Sequence, residues 1–464
     1  MINRLFLYLL ISLSVFEASA KMQVAKIFGN KMVLQQEELV SIWGRDTTNQ
    51  AISITASWGQ SAKTTCDKNG YWKVLIQTPS AGGPYTMNIK GSKKIVFNDI
   101  MIGEVWLASG QSNMVMKTKG YNKIPVEDIN RIISEARNNQ IRMFTVTTKL
   151  NPREQEDIYG RWLSCDTTNI KQYSMVAYFF AKRLQEQLNI PIGIINASVG
   201  GSDILAWMDS STYKHLDFSA TINKQHPKDF TKYPTQLFNG MIHPLLNYRI
   251  KGIIWYQGES NVAHADEYER LLKSLIQSWR VLLKQENLAF YYVQIAPYSY
   301  PNINAAYLRE AQWNVYKTVK NTGIVSTSDI GDCSNIHPTN KETVGNRLAN
   351  WALAKDYHQE SQVYLGPEYK EKNLRANHQI ELLFDTNGGK LLCKGNDIVG
   401  FEVAGADKQF YPAKAIIASD NSILISSDKV SAPIEVRYCF QNCIQGNLYN
   451  SAHLPAFPFR TDSF

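Results

Sequence analysis

A serine acts as a nucleophile only where its hydroxyl is accessible and a base stands beside it. One stretch offers such a serine. In Gly103-Glu104-Val105-Trp106-Leu107-Ala108-Ser109-Gly110-Gln111-Ser112-Asn113-Met114, an apolar run that fits a buried strand stops abruptly in a small, polar turn. Ser112 sits in that turn, where a tight bend at a strand's exit lifts the hydroxyl clear of the sheet. The pattern is not the Gly-x-Ser-x-Gly elbow, because Gly110 lies two before the serine but Met114 lies two after it. Taken alone, these residues also suit an ordinary polar loop, so the partners decide.

Of the 8 histidines, His337 is the best-placed base. The run Asn335-Ile336-His337-Pro338 falls between an apolar strand candidate and a following helix, on the rim where Ser112 stands. His243, in Gly240-Met241-Ile242-His243-Pro244, has apolar neighbours and reads as a packing residue. Acyl transfer also needs donors for an oxyanion. The Ser112 amide is one. A backbone N–H at Gly200 or Gly201 is a second, since glycine lets the chain approach a ligand closely. A side-chain amide is the third, Gln257 ahead of Asn261, and Gln111 beside Ser112 is a further substrate contact.

These residues need a scaffold that brings distant loops together. From residue 99 the chain alternates apolar strand candidates, at 101–108, 141–147, 192–197, 251–256, 288–296 and 322–328, with long amphipathic helices such as Met175 to Leu188 and Tyr268 to Leu283. That rhythm predicts a parallel, doubly wound sheet with helices on both faces. Ligands of such sheets bind beyond the carboxyl ends of the strands, and the motifs around Ser112, Gly200, Gln257 and His337 all follow strands. A last long helix is expected over 339–356. Residues 21–98 carry short β-type runs punctuated by Gly59, Asn69-Gly70 and Gly82-Gly83-Pro84, a β-sandwich-like pattern. Residues 365–464 return to β-type runs after the α/β stretch of 99–364.

Composition bounds the function classes. Hydrophobic residues make 44% of the 464-residue chain and charged ones 19%, which is globular rather than disordered. The formal net charge of +8 has no Lys/Arg cluster behind it, so no nucleic-acid partner is expected. Residues 1–20 have the pattern of a cleavable secretory signal, with Arg4 in a short basic start, an apolar core from Leu5 to Phe16, and Ala18-Ser19-Ala20 before Lys21. No later stretch reaches membrane-spanning length, so a secreted or periplasmic protein is expected. Six cysteines are sparse and unevenly spaced, against a disulfide scaffold or a zinc site. Cys439 and Cys443 are close enough to pair around a tight turn, or stay as buried thiols.

Taken together, Val33-Leu34-Gln35-Gln36, Gly103-Glu104-Val105-Trp106, Gly110-Gln111-Ser112-Asn113-Met114, Trp255-Tyr256-Gln257-Gly258-Glu259-Ser260-Asn261, Ile336-His337-Pro338, Lys341 and Arg347-Leu348 resemble the sialate O-acetylesterase family of SGNH-type hydrolases. The resemblance covers nearly all of the chain after residue 20. It implies a flavodoxin-like three-layer catalytic domain, deacetylation without metal or other cofactor, Ser112 as nucleophile and His337 as base. The partner implied is an acetylated sugar, sialic acid first. Acetylated xylan, or a non-catalytic glycan-binding role on a hydrolase scaffold, are the alternatives. One departure stands out: the aspartate usual two or three residues before the histidine is replaced by Asn335 and Ser334. Asp332 swings in to complete a triad, or a neutral acceptor, Asn335 or a backbone carbonyl, orients the imidazole of a Ser–His dyad. The dyad is the preferred expectation, because fixing tautomer and ring position is within reach of a neutral acceptor.

Overall fold

The structure, a computed structural model, describes residues 22–216, 231 and 233–463. The signal-like stretch 1–20 lies outside the described residues. The first eight strands are β1 (Gln23–Val24), β2 (Val33–Gln35), β3 (Leu39–Arg45), β4 (Ala51–Ala56), β5 (Ser61–Thr65), β6 (Tyr71–Gln77), β7 (Gly82–Lys90) and β8 (Lys94–Gly110). Strands β1, β3 and β6 form one antiparallel sheet, and β5, β4, β7 and β8 form a second antiparallel run. Alternation drives their packing: Trp72, Val74 and Ile76 of β6 are buried, while Lys73, Leu75 and Gln77 face outward.

β8 joins this module to the rest. Its first six residues alternate between exposed and half-buried, whereas Ile100 to Gly110 are all buried. A one-faced antiparallel strand thus becomes the centre of a parallel sheet covered on both sides. The boundary expected between residues 98 and 99 lies inside this continuous 17-residue strand. One hydrophobic core runs through both parts.

The parallel sheet adds β9 (Asn138–Thr145), β11 (Ile192–Ser198), β12 (Gly252–Tyr256), β13 (Ala289–Val293) and β14 (Thr322–Val325), with β10 (Trp162–Cys165) antiparallel on the β9 edge. Their order is β10-β9-β11-β8-β12-β13-β14. With β9 set aside as an added parallel strand beside β11, the succession β8, β11, β12, β13, β14 lies across the sheet as 2-1-3-4-5. Five helices matter to the site: α1 (Ser112–Val115), α2 (Met175–Leu188), α3 (Ala265–Leu282), α4 (Ala306–Thr318) and α5 (Lys341–Lys355). Trp106 and Tyr291 pack on Phe180 of α2 and Trp351 of α5 on one face. Trp255 and Phe290 pack on Trp279 of α3 on the other. Gly252 makes room for the first cluster, since a Cβ there would stand 2.3 Å from the Trp106 ring.

Residues 368–460 contribute antiparallel sheets around a separate core that includes Ile380, Leu382, Val403, Ile423, Val436 and Tyr438. This segment is tied to the α/β body by ion pairs Arg460–Glu310 and Lys317–Glu368 and by a disulfide from Cys333 to Cys443, 110 residues apart. Of the two possibilities open for Cys439 and Cys443, a bridge between them or buried thiols, Cys443 does neither and pairs with Cys333. Cys439 instead packs in the second core as a free thiol, pushed up to about 12 by burial.

Candidate active site

Three strands end level with one another. Gly110 of β8 is in register with Ser198 of β11 and Tyr256 of β12, so the loops after them leave the sheet at one place. Because β11 and β12 flank β8, their connections diverge to opposite sides and open a crevice there. Gly110 makes the turn: its φ is +127°, and a Cβ would stand 2.1 Å from the Tyr256 carbonyl oxygen. The Gln111 amide donates to that same carbonyl at 2.8 Å. α1 then starts at Ser112, with its hydroxyl at the rim.

His337 arrives from the β14–α5 loop. Its Nε2 lies 2.8 Å from Ser112 Oγ, the geometry in which a hydroxyl donates to a neutral imidazole. The Asn335 side chain accepts the His337 backbone N–H at 3.0 Å, fixing the loop but not the ring. The Tyr121 ring lies against the imidazole, with centroids 4.3 Å apart and planes at 32°, and its hydroxyl donates to the Ser112 carbonyl at 3.2 Å. Burial pushes the imidazole down to about 4, and the Lys341 charge adds to the shift.

Neither candidate for orienting the imidazole reaches it. Asp332 is exposed and accepts from Ser334 N and Oγ at 2.8 and 2.7 Å. Those bonds hold its carboxyl below the usual range. The side-chain carbonyl oxygen of Asn335 is occupied by the backbone. His337 Nδ1 is buried with no hydrogen-bond partner among the described residues. The expected neutral acceptor is therefore corrected: among the described residues the site is a pair without a third polar member. Asp332→Asn should leave kcat/KM on an acetyl ester within about 2-fold, since an exposed charge acts weakly through solvent. A triad aspartate would instead show a loss on the order of 10⁴-fold, and steady-state kinetics distinguish the two.

The amide candidates need correction too. Gln257 is wholly buried; its Nε2 donates to Ser202 O and Asn261 Oδ1, and its Oε1 accepts from Tyr268. Asn261 donates to Asp203 Oδ2 and accepts from Ile204 N as well. Gln111 Oε1 accepts from the amides of Gly258 and Ser260. Gln257 and Asn261 are spent within the fold, whereas Gln111 braces the loop after β12 through its oxygen alone, its Nε2 donating to no described residue. A planar amide offers the same donors to a substrate or to its own loop, and only the tertiary partners decide. Gly200, not Gly201, stands beside the serine, where an added Cβ would lie 3.6 Å from Ser112 Cβ. Gly201, at φ +71°, turns its carbonyl to Thr231. His243 packs as expected, with Nδ1 2.8 Å from Gln155 O.

Behind the serine lies a polar cluster. Asn113 donates to Glu259 Oε1 and to the Ile336 carbonyl, and accepts from Lys341 Nζ at 2.6 Å. Asn113 and Lys341 are 0% exposed and Glu259 is 9% exposed, so neither charge is solvated. Burial pushes the Lys341 ammonium down to about 7 against the pull of Glu259, and pushes the Glu259 carboxyl up against its hydrogen bonds. Asn113 thus ties the serine turn to the residue before His337. Asn113, Glu259 and Lys341 all fall within the recognised motifs, which signalled them without a role. Tyr121 has no such signal.

Comparisons with known proteins give the chain its family. Residues 102–354 match the model of a family described as carbohydrate esterase, sialic acid-specific acetylesterase. A carbohydrate acetylesterase from Xanthomonas citri is 34% identical, with a TM-score of 0.87 over 96% of this chain and 100% of that one. Human sialate O-acetylesterase is 28% identical over 94% of this chain and 91% of its own length. The mouse enzyme of the same name is 26% identical over 94% and 93%. A hydroxyl–imidazole pair on the carboxyl rim of a parallel α/β sheet, in a chain with these relatives, belongs to a carboxylic ester hydrolase. The chain is a member of the sialic acid-specific acetylesterase family of carbohydrate esterases.

Proposed function

We propose that this enzyme hydrolyses O-acetyl esters on sugars, sialic acid first, with Ser112 as nucleophile and His337 as base. The observation that carries the reading is the 2.8 Å approach of Ser112 Oγ to His337 Nε2. His337 takes the serine proton as Oγ attacks the acetyl carbonyl carbon, and the amides of Ser112 and Gly200 receive the oxyanion. Collapse releases the sugar hydroxyl, protonated by the imidazolium, and leaves acetyl-Ser112. His337 then takes a proton from water as its oxygen attacks the acyl carbon, and returns that proton to Ser112 Oγ as the acyl–Oγ bond breaks and acetate leaves. The 2-1-3-4-5 order of β8, β11, β12, β13 and β14, to which β9 is added in parallel beside β11, supports reading the catalytic body as the flavodoxin-like SGNH fold. Export to an oxidising compartment is supported by the Cys333–Cys443 disulfide and by the signal-like residues 1–20.

A second reading changes the sugar and keeps the chemistry. The Xanthomonas citri relative, at 34% identity, is described as a carbohydrate acetylesterase, and acetylated xylan is the alternative substrate weighed against sialic acid.

Acetate released from O-acetylated sialic acid and from acetylated xylo-oligosaccharides, measured by mass spectrometry across pH, tests both. The sialic ester should have the higher kcat/KM. A neutral imidazole is the active form, and its value is depressed to about 4. Activity should therefore persist as pH falls through the ordinary histidine value of about 6.5 and be lost only as it passes about 4. Release of acetate from neither sugar would overturn the proposal, and preference for the xylan ester would select the second reading.

A further inference from the structure

Among the described residues no carboxylate reaches the imidazole of His337 to hold the ring and stabilise the imidazolium as in a triad. Its Nδ1 has no polar partner among the described residues. Against the ring lies Tyr121, from the loop that follows α1, with centroids 4.3 Å apart and its plane tilted by 32°. The same side chain donates its hydroxyl to the carbonyl of Ser112 at 3.2 Å. A single residue therefore contacts both members of the pair. We propose that Tyr121 is the positioning residue that replaces the triad carboxylate, holding the His337 ring in plane for Ser112 and stabilising the imidazolium through its π face.

The inference rests on the Ser112–His337 reading above. As Oγ bonds to the acetyl carbon, its proton passes to Nε2 and the ring gains a positive charge. That charge returns to zero when the proton moves on to the departing sugar oxygen. An aromatic face within about 6 Å of a cation attracts it, with a strength of about 0.5 to 2 kcal/mol. Because the neutral imidazole gains little from the quadrupole, the attraction grows toward the transition state, and such differential binding raises kcat rather than lowering KM. Stacking also limits rotation about the side-chain bonds, which is the orienting half of a carboxylate's task. A left-handed turn at Gly120, φ +61°, carries the tyrosine back over the site, and a Cβ there would stand 1.8 Å from the Ile124 carbonyl.

The test compares Tyr121→Leu, Tyr121→Phe and His337→Ala in the full chain, on a small acetyl ester, with kcat, KM and melting temperature recorded for each. Tyr121→Leu should lower kcat by about 3-fold to 30-fold, the rate equivalent of the π interaction, with KM and melting temperature near those of the unmodified protein. Tyr121→Phe keeps the ring and should restore kcat to within about 3-fold. The Ser112 carbonyl that it leaves still accepts the Met116 amide at 2.9 Å, so losing the hydroxyl leaves no unpaired acceptor. A drop in melting temperature for Tyr121→Leu shifts the reading to Tyr121→Met, with the same expectation for kcat. If His337→Ala is inactive while Tyr121→Leu matches Tyr121→Phe, the role given to the ring is overturned and the dyad stands. Full activity in His337→Ala would overturn the dyad and this inference together.

Discussion

Ser112→Ala should abolish ester hydrolysis while leaving the fold in place. With the nucleophile gone, kcat/KM on a small acetyl ester should drop by at least on the order of 10⁴-fold, since loss of the nucleophile in a working Ser–His unit costs about as much as loss of the whole unit. Stability should fall by no more than about 1 kcal/mol, the usual worth of one hydrogen bond. Among the described residues the hydroxyl's side-chain partner is His337 Nε2, and both residues are part-exposed at the rim, so water replaces the lost contact. Kinetics and thermal melting on the same preparation check both parts. More than a trace of native activity in the Ser112→Ala variant would remove Ser112 from the mechanism.

Much of this layout was legible from periodicity and from position relative to strands. The helix expected from Met175 to Leu188 has those bounds, because its apolar spacing is uninterrupted and Ser174 caps it by accepting from Ala177. Ser112 and His337 were paired from their rim location alone, and parallel topology does bring strand-exit loops to one edge. The misplaced residues share a cause. Gln257 and Asn261 have polar groups that suit a ligand equally well, and their consumption by Ser202, Asp203 and Tyr268 depends on contacts that no local pattern encodes. Asn335 stood at the right spacing, but its oxygen turned to its own backbone, the habit of asparagine in turns. The bridge from Cys333 to Cys443 spans 110 residues, a separation that sequence spacing does not reveal. Tyr121 was invisible because it lies in a loop without periodicity, and its contact with the imidazole is set wholly by the return of that loop over the site.

The buried cluster behind the serine leads to the second large effect. Asn113→Ala should destabilise the protein by about 3 kcal/mol and also reduce kcat/KM on the order of 10-fold to 100-fold. The stability part follows from what the amide holds apart and together: Lys341 Nζ donates to its oxygen, and its nitrogen donates to Glu259. With the amide gone, an ammonium and a carboxyl remain in a site that excludes water, and breaking a buried charged network by removing one member is far more costly than replacing it whole. The activity part follows from its other bond, to the Ile336 carbonyl one residue before His337. That bond couples the serine turn to the histidine loop, so its loss lets the imidazole drift from the serine, and small misplacements in a catalytic pair are expensive in rate. Replacing the whole cluster, as in Asn113→Leu with Glu259→Leu and Lys341→Met, separates the two contributions. Denaturant unfolding should show much of the lost stability restored, because no buried charge is left unpaired. The rate should stay low, because nothing then holds Ile336. Recovery of both stability and rate in the triple variant would mean that Asn113 serves packing alone, and the coupling between the two loops would have to be sought elsewhere.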